Sequence, residues 1–260
     1  MRRRDFLHAA ATLAAAPFVP LIGCNTTPTS STDGAITRVD MAATGWATGG
    51  TAWLTGNYPD PFARGLTAPC VLYKASSIGP CHVTSIDRKD ISEGQGGLPV
   101  RFAFLVADTN CQPVAGATVE LWHCAISGLY SGGDAPDTCT GGDAGARASR
   151  WFRGIQTADA NGRVDFDSCY PGWYAGRSTH VHFTVRVGQT EYLTSQLFFD
   201  DALNIEIYST QPLYEARGLK DTANAADRVI NETPLTAPYF KTARMSDGAM
   251  LASKALIVHT

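Results

Sequence analysis

What this chain of 260 residues lacks narrows its chemistry before any motif is read. Charged residues make up only 17% of it, the net charge is −3, and no basic cluster lies beyond the N-terminus. The electrostatic footprint of a nucleic-acid partner is therefore missing. There is no glycine-rich phosphate loop, no Gly-x-Ser-x-Gly and no internal repeat, so a nucleotide cradle, a hydrolase nucleophile elbow and a solenoid are excluded. None of the seven cysteines forms a Cys-x-x-Cys pair, which argues against a cysteine-ligated metal. No hydrophobic stretch after residue 23 is long enough to span a bilayer. Helical periodicity is scarce too. It shows only around Tyr214 to Ile230, where Leu213, Ala216, Leu219, Ala223 and Ala226 recur at helix-like intervals.

What is present suits a β-rich protein. Hydrophobic residues reach 44% and aromatics 10%, enough for one moderately large domain with a full core. The 25 glycines and 14 prolines supply turns. From Val100 onward, short alternating or β-branched segments follow one another: Val100 to Val106, Ala117 to Trp122, Arg163 to Phe166 after an Asn161-Gly162 turn, His180 to Val187, and Tyr192 to Phe199. Residues 37–70 hold scattered aromatics (Trp46, Trp53, Tyr58, Phe62) and read as an arm lying over the domain. The fold expected is all-β: an antiparallel β-sandwich core with a long N-terminal arm and few short helices.

The first residues read as an address rather than as structure. Arg2-Arg3-Arg4 precedes an apolar small-residue run from Ala9 to Val19, the arrangement of an export signal. Arg3-Arg4-x-Phe6-Leu7 resembles a twin-arginine signal, and Leu21-Ile22-Gly23-Cys24 resembles a bacterial lipobox. The expected organisation is a signal peptide over 1–23, a flexible tether over 24–36 and one domain over 37–260. Acylated Cys24 would anchor the mature chain to a membrane from the extracytoplasmic or periplasmic side. Loss of three arginines and one aspartate with the signal takes the net charge from −3 to −5. The remaining six cysteines, Cys70, Cys81, Cys111, Cys124, Cys139 and Cys169, are even in number and would form three disulfides in an oxidising compartment.

Two histidines carry the first chemical signal. His180-Val181-His182 opens a strand pattern, so both imidazoles point to one face while Val181 and Phe183 point to the other. Neutral imidazole is the commonest side-chain metal ligand. Asp165 and Asp167, flanking Phe166, would complete a facial triad for ferrous iron, although aspartates just after a turn are more often solvated. Tyr130 leaves a strand for a loop, and Tyr174 lies just before the His-x-His strand. Either tyrosine, taken alone, also suits a packed aromatic with a hydrogen-bonded hydroxyl.

Three motifs in order now make the chain resemble the intradiol ring-cleavage dioxygenases, in particular their exported, cysteine-containing members. They are Trp122-His123-Cys124-Ala125-x-x-Gly128-x-Tyr130-Ser131-Gly132, then Arg153-Gly154-x-Gln156-Thr157-x-Asp159-x-x-Gly162, then Pro171-Gly172-x-Tyr174-x-x-Arg177-x-x-His180-x-His182. The likeness runs from about residue 70 to 210. It implies a mononuclear non-haem Fe(III) held by Tyr130, Tyr174, His180 and His182. Phenolates are hard anionic donors that favour ferric over ferrous iron, and bound ferric charge lowers the pKa of a coordinated phenol.

The resemblance also implies a reaction and its partners. The substrate would be a small aromatic diol together with O2, and the ring would open between its two hydroxylated carbons to a cis,cis-muconate-type diacid. Tyr174 would take up a substrate proton, Arg177 would stabilise negative charge building on the ring, and Gln196 would lie near the same pocket. His123 is expected to pack rather than ligate, while His82 and His259 have no partners by spacing. Arg153 and Gln156 read as turn and strand residues supporting the core, and Trp173 as pocket wall or surface. Two segments depart from the family pattern: Arg177-Ser-Thr-His replaces Arg-Pro-Ala-His, and Lys74-Ala-Ser-Ser-Ile-Gly-Pro-Cys81 lacks the usual acidic residue and aromatics beside Gly-Pro. The rival readings are a non-catalytic exported β-sandwich that binds aromatics or metal, and a zinc or copper protein built on His180 and His182.

Overall fold

Alternating side chains become strands arranged in two layers. The strands are β1 (Pro99–Ala107), β2 (Thr118–Trp122), β3 (Arg153–Thr157), β4 (Arg163–Cys169), β5 (His180–Val187), β6 (Thr190–Phe198), β7 (Lys241–Arg244) and β8 (Met250–Ile257). One sheet has the order β4-β1-β8-β7 and the other β3-β2-β5-β6. This structure, a computed structural model, describes residues 45–232 and 238–260. The expected signal peptide (1–23), the tether (24–36) with Cys24, and the start of the arm lie outside the described residues.

The sandwich core comes from the inward halves of the alternation. Phe102 and Phe104 of β1, Val119 and Leu121 of β2, Val181, Phe183 and Val185 of β5, and Leu193 and Leu197 of β6 share one buried apolar cluster. Each fully buried side chain of this size contributes about 1.5–3 kcal/mol. The pairs are antiparallel with one exception: β8 runs parallel to β1, with Ala103 opposite Ser253. Strands β7 and β8 carry no legible strand signal in the sequence, because Met250 to Ile257 is buried almost throughout and has no clear period of two.

The arm does lie over the domain. Tyr58 stacks over the Arg101 guanidinium at 5.3 Å, and Phe62 over that of Arg163 at 5.1 Å, on the outer side of the β1–β4 pair. Asp247 accepts from the Thr55 and Tyr58 hydroxyls at 2.6 and 2.7 Å and so pins the arm to the β7–β8 turn.

Two expectations need correction. The helix anticipated around Tyr214 to Ile230 is broken into pieces. Helical segments among the described residues are α1 (Asp137–Thr140), α2 (Ala144–Ala148), α3 (Asp201–Thr210), α4 (Pro212–Glu215) and α5 (Arg228–Glu232), with a 3-10 turn at Asn224–Ala226. Gln211 is extended before Pro212, as the residue before a proline prefers, which ends α3. Gly218, at φ 75°, turns the chain out of α4. The expected three disulfides are two: Cys70–Cys111 and Cys81–Cys139. Cys124 and Cys169 are buried thiols enclosed in separate apolar clusters, with Cys124 beside Trp122 and Cys169 beside Trp151 and Phe152.

Candidate metal centre

The residues opposite the core define the site. On the outer face of the β3-β2-β5-β6 sheet, register places Arg153 opposite Trp122, Trp122 opposite His182, and His182 opposite Gln196. One cross-strand row therefore carries four of the singled-out residues, close to the end of the sheet where β5 begins. An outward face is normally solvated, yet Trp122, Arg153, His182 and Gln196 are all at most 2% exposed. The cover is a second apolar cluster in which Trp122, Tyr130, Cys81, Val83, Ala135 and Cys139 pack together, with Tyr174 against them.

The Cys81–Cys139 disulfide ties the two covering segments to each other. The amide of Tyr130 donates to the Cys139 carbonyl at 2.8 Å, and Arg153 Nη2 donates to the Cys81 carbonyl at 2.6 Å. Gly79, at φ 76°, leaves room for His182: a Cβ there would lie 3.0 Å from His182 Cε1.

Tyr130, Tyr174, His180 and His182 are brought together. The Tyr174 hydroxyl lies 3.1 Å and the Tyr130 hydroxyl 3.4 Å from His180 Nε2. The His180 and His182 ring centroids are 4.8 Å apart, and those of Tyr130 and Tyr174 are 5.9 Å apart. His180 Nδ1 lies 2.6 Å from the Ser178 carbonyl, which fixes the proton on Nδ1 and turns the Nε2 lone pair toward both phenols. His182 stacks on Trp122 at 5.1 Å and 8°, and its buried Nδ1 has no hydrogen-bond partner among the described residues.

These donors fit ferric iron. Burial holds both imidazoles neutral, far below the usual histidine range, and neutral imidazole is the ligating form. Burial also pushes the Tyr130 and Tyr174 phenols up, while the Arg177 charge pulls the other way on Tyr174. A buried and a half-buried phenol converging on a neutral imidazole lone pair are a donor set that a highly charged, hard cation would satisfy. Among the described residues no comparable site exists for the carboxylate alternative. Asp165 is bonded to Arg163 and Asp167 to Arg101, both on the other sheet, and no group of three His, Cys, Asp or Glu side chains able to hold a metal exists among the described residues.

Arg177 and Gln196 join the site as a pair. Arg177 Nη2 donates to Gln196 Oε1 at 2.5 Å, and its Nη1 lies 3.4 Å from the Tyr174 hydroxyl. Gln196 Nε2 in turn donates to the Ser77 carbonyl at 3.0 Å, which ties Arg177 to the Lys74–Cys81 segment. Sequence reasoning missed Asp227. It is fully buried and accepts from Arg177 Nε at 2.9 Å and from the Ser178 amide at 2.8 Å. No motif pointed to it, because it reaches the site from fifty residues downstream in irregular chain.

Of the remaining candidates, all but Arg153 stand apart from the four donors. His123 bridges Ser168 Oγ at 2.8 Å and the Cys124 carbonyl at 2.9 Å, and burial keeps it neutral with a pKa of about 4. It ties the two sheets together and does not face the phenols. His82 lies 3.0 Å from Glu120, and His259 is exposed. Gln156 donates to Asp87, and Trp173 donates to the Gly218 carbonyl, so both support chain segments. Arg153 does more than its reading as a core support allowed: its buried guanidinium lies 5.7 Å from the Tyr130 ring centroid.

A family model described as Dioxygenase matches residues 73–232. Catechol 1,2-dioxygenase 1 of Acinetobacter lwoffii is 27% identical over 142 residues, which are 45% of this chain and 43% of that protein. The match thus spans less than half the length of that curated relative. Among solved structures, an intradiol ring-cleavage dioxygenase from Tetranychus urticae superposes with a TM-score of 0.64 at 26% identity, covering 73% of this chain and 95% of the other. A hydroxyquinol 1,2-dioxygenase from Pseudomonas putida, at 18% identity, shares the fold with a TM-score of 0.51 over 73% of this chain and 67% of its own.

Proposed function

The chain belongs to the intradiol ring-cleavage dioxygenase family, and on that premise we propose that it opens a catechol-type ring between its two hydroxylated carbons, using both atoms of O2, to a cis,cis-muconate-type diacid. Tyr130, Tyr174, His180 and His182 would hold a mononuclear ferric ion. The observation that carries this reading is the convergence of two phenol oxygens on His180 Nε2. When bound, ferric iron supplies Lewis acidity and a one-electron couple that make a chelated catecholate reactive toward dioxygen.

The chain's own residues then divide the work. Tyr130 is 1% exposed and fixed through its amide to Cys139, so it is the donor that stays. Tyr174 is half-buried on a loop, and as the tyrosinate of the loaded site its Oη would take a proton from the incoming diol as general base. Arg177 Nη1, 3.4 Å from that oxygen, stabilises the negative charge left on the ring. Gln196 holds the guanidinium from the opposite edge, and the cluster of Trp122, Val83 and Cys81–Cys139 keeps water from the Tyr130 side.

The test is reconstitution with iron followed by oxygen uptake over a panel of catechols. A tyrosinate-to-iron colour with one oxygen consumed per ring opened is expected. A colourless, iron-free product would refute the centre. A coloured protein consuming no oxygen with any catechol would favour a non-catalytic binding module. The proposal extends to location. Two disulfides suit an oxidising compartment, and Cys24 would be lipidated there. Metabolic lipid labelling should vanish in Cys24→Ser, and labelling that persists would contradict the anchor.

A further inference from the structure

The segment from Arg217 to Ile230, in which sequence periodicity suggested a helix, is mostly irregular chain strapped across the loop that carries Tyr174 and Arg177. The two segments are sewn together by polar contacts. Trp173 Nε1 donates to the Gly218 carbonyl at 3.0 Å, and the Gly176 amide donates to Asp221 at 3.3 Å. The Ser178 hydroxyl meets Asn224, and Lys220 Nζ donates to the same hydroxyl at 3.1 Å. Strap contacts thus fall on both sides of Tyr174, while the Tyr174 hydroxyl faces His180 and Arg177 instead.

At the centre of this seam is an ion pair between the half-buried Arg177 and the fully buried Asp227, with an asymmetric task. Asp227 Oδ2 takes both Arg177 Nε and the Ser178 amide, and Oδ1 takes the Val229 amide at 2.9 Å. The carboxylate's acceptor sites are therefore committed before any substrate arrives, which offsets its burial. A guanidinium is planar, so two contacts on different edges fix its orientation. Asp227 holds the Nε edge and Gln196 the Nη2 corner, and the remaining Nη1 is left facing the Tyr174 oxygen.

We propose that Asp227 is a positioning residue: it holds the Arg177 guanidinium in the orientation from which it stabilises charge developing on the ring, and through it the strap sets the Tyr174–Arg177 loop. This rests on the proposed role of Arg177. A carboxylate in this place keeps the arginine fixed, so no reorientation is required as charge builds. Gln196 alone leaves the fork free to rotate about one contact.

The experiment compares wild type, Asp227→Asn, Arg177→Ala and the double variant. In iron-loaded Asp227→Asn, assayed below its own thermal midpoint, kcat should fall by about tenfold or more while KM for the catechol moves little, with iron content and colour close to wild type. In the Arg177→Ala background the same substitution should cost almost nothing further, since two residues acting as one unit are not additive. Full additivity, or wild-type turnover in Asp227→Asn, overturns the proposal. A purely structural role would instead cost the same turnover in both backgrounds.

A second readout needs neither iron nor turnover. In the metal-free protein the Arg177 Nε–H should exchange with solvent about tenfold faster or more in Asp227→Asn, and unchanged protection would refute the positioning role. If wild type is coloured or colourless but consumes no oxygen, the functional reading fails while this measurement still decides the role of Asp227. Should Asp227→Asn fail to fold, Asp227→Ser keeps an acceptor for the amide of Val229 and serves for the same measurements.

Discussion

The two faces of strand β5 do opposite things with the same backbone. Inward, Val181, Phe183 and Val185 are fully buried in the sandwich core, where apolar area alone accounts for their burial. Outward, His180, His182 and Thr184 are equally buried, but beneath loops held in place by a disulfide, a buried arginine and a row of cross-strand partners. The inner face is paid for by what it packs on, the outer face by what is folded over it. A polar, ligand-bearing surface can thus be dried without being placed in the core.

Substitutions on the two faces should separate stability from iron. The largest loss of stability is expected on the inner face. Phe183→Ala should cost about 3–5 kcal/mol in denaturant unfolding, through lost transfer energy and the cavity left behind. If that variant were nearly as stable as wild type, the inner face would not be the structural one.

Next comes the cover of the outer face. Cys81→Ser with Cys139→Ser opens a link between residues 58 apart and should cost up to about 4 kcal/mol. Iron should also leave faster on chelator challenge, because the Tyr130 amide is bonded to Cys139. Wild-type iron retention would show that the cover does not depend on the disulfide.

A smaller effect is expected from the charged end of the same outer face. Burial alone would raise the Glu120 pKa, but hydrogen bonds from His82, Arg186 and Ser85 outweigh it and bring it down to about 2, from 4.5. A depressed carboxylate pKa adds stability above the ordinary value, and this is lost as pH falls through about 2. Stability should therefore decline from about pH 4.5 toward 2 by about 2–3 kcal/mol on this account. Glu120→Gln should flatten that part of an acid titration. An unchanged acid slope in the variant would mean that other groups control it.

Tyr130→Phe should move stability least, by about 1 kcal/mol or less. Yet it should remove a tyrosinate and with it most of the colour and bound iron. Retained iron and colour would exclude Tyr130 as a donor.

The same contrast explains what the sequence made legible. Period-two alternation gave the inner face of β1, β2, β5 and β6, because one buried side is a local property of each strand. It also put His180 and His182 side by side. It could not show what dries them, since the cover comes from residues 74–83 and 123–140 and its closure depends on a pairing of cysteines that spacing leaves open. Tyr174 and Arg177 were readable as neighbours of the histidines, and Tyr130 only through the ordered motifs of a family. Asp227 had no such signal. It belongs to chain whose apolar spacing resembles a helix but which Gly218 interrupts.

One feature of the supporting sheet bears on how the site comes into being. The sheet that carries the donors, β3-β2-β5-β6, is built from chain between residues 118 and 198 and joined by antiparallel neighbours. The sheet behind it places β8, the last strand, between β1 and β7, parallel to β1. That contact closes the longest loop among the strand pairings, and long-range parallel pairing is the slow kind. The donor-bearing layer is thus made of nearby chain, while its apolar backing is completed only when the antiparallel β7–β8 pair joins the β1 edge. Without that strand the inner faces of β2 and β5 lack the packing of Met250, Ala252 and Leu256, so the shape of the metal-binding surface depends on the far end of the chain.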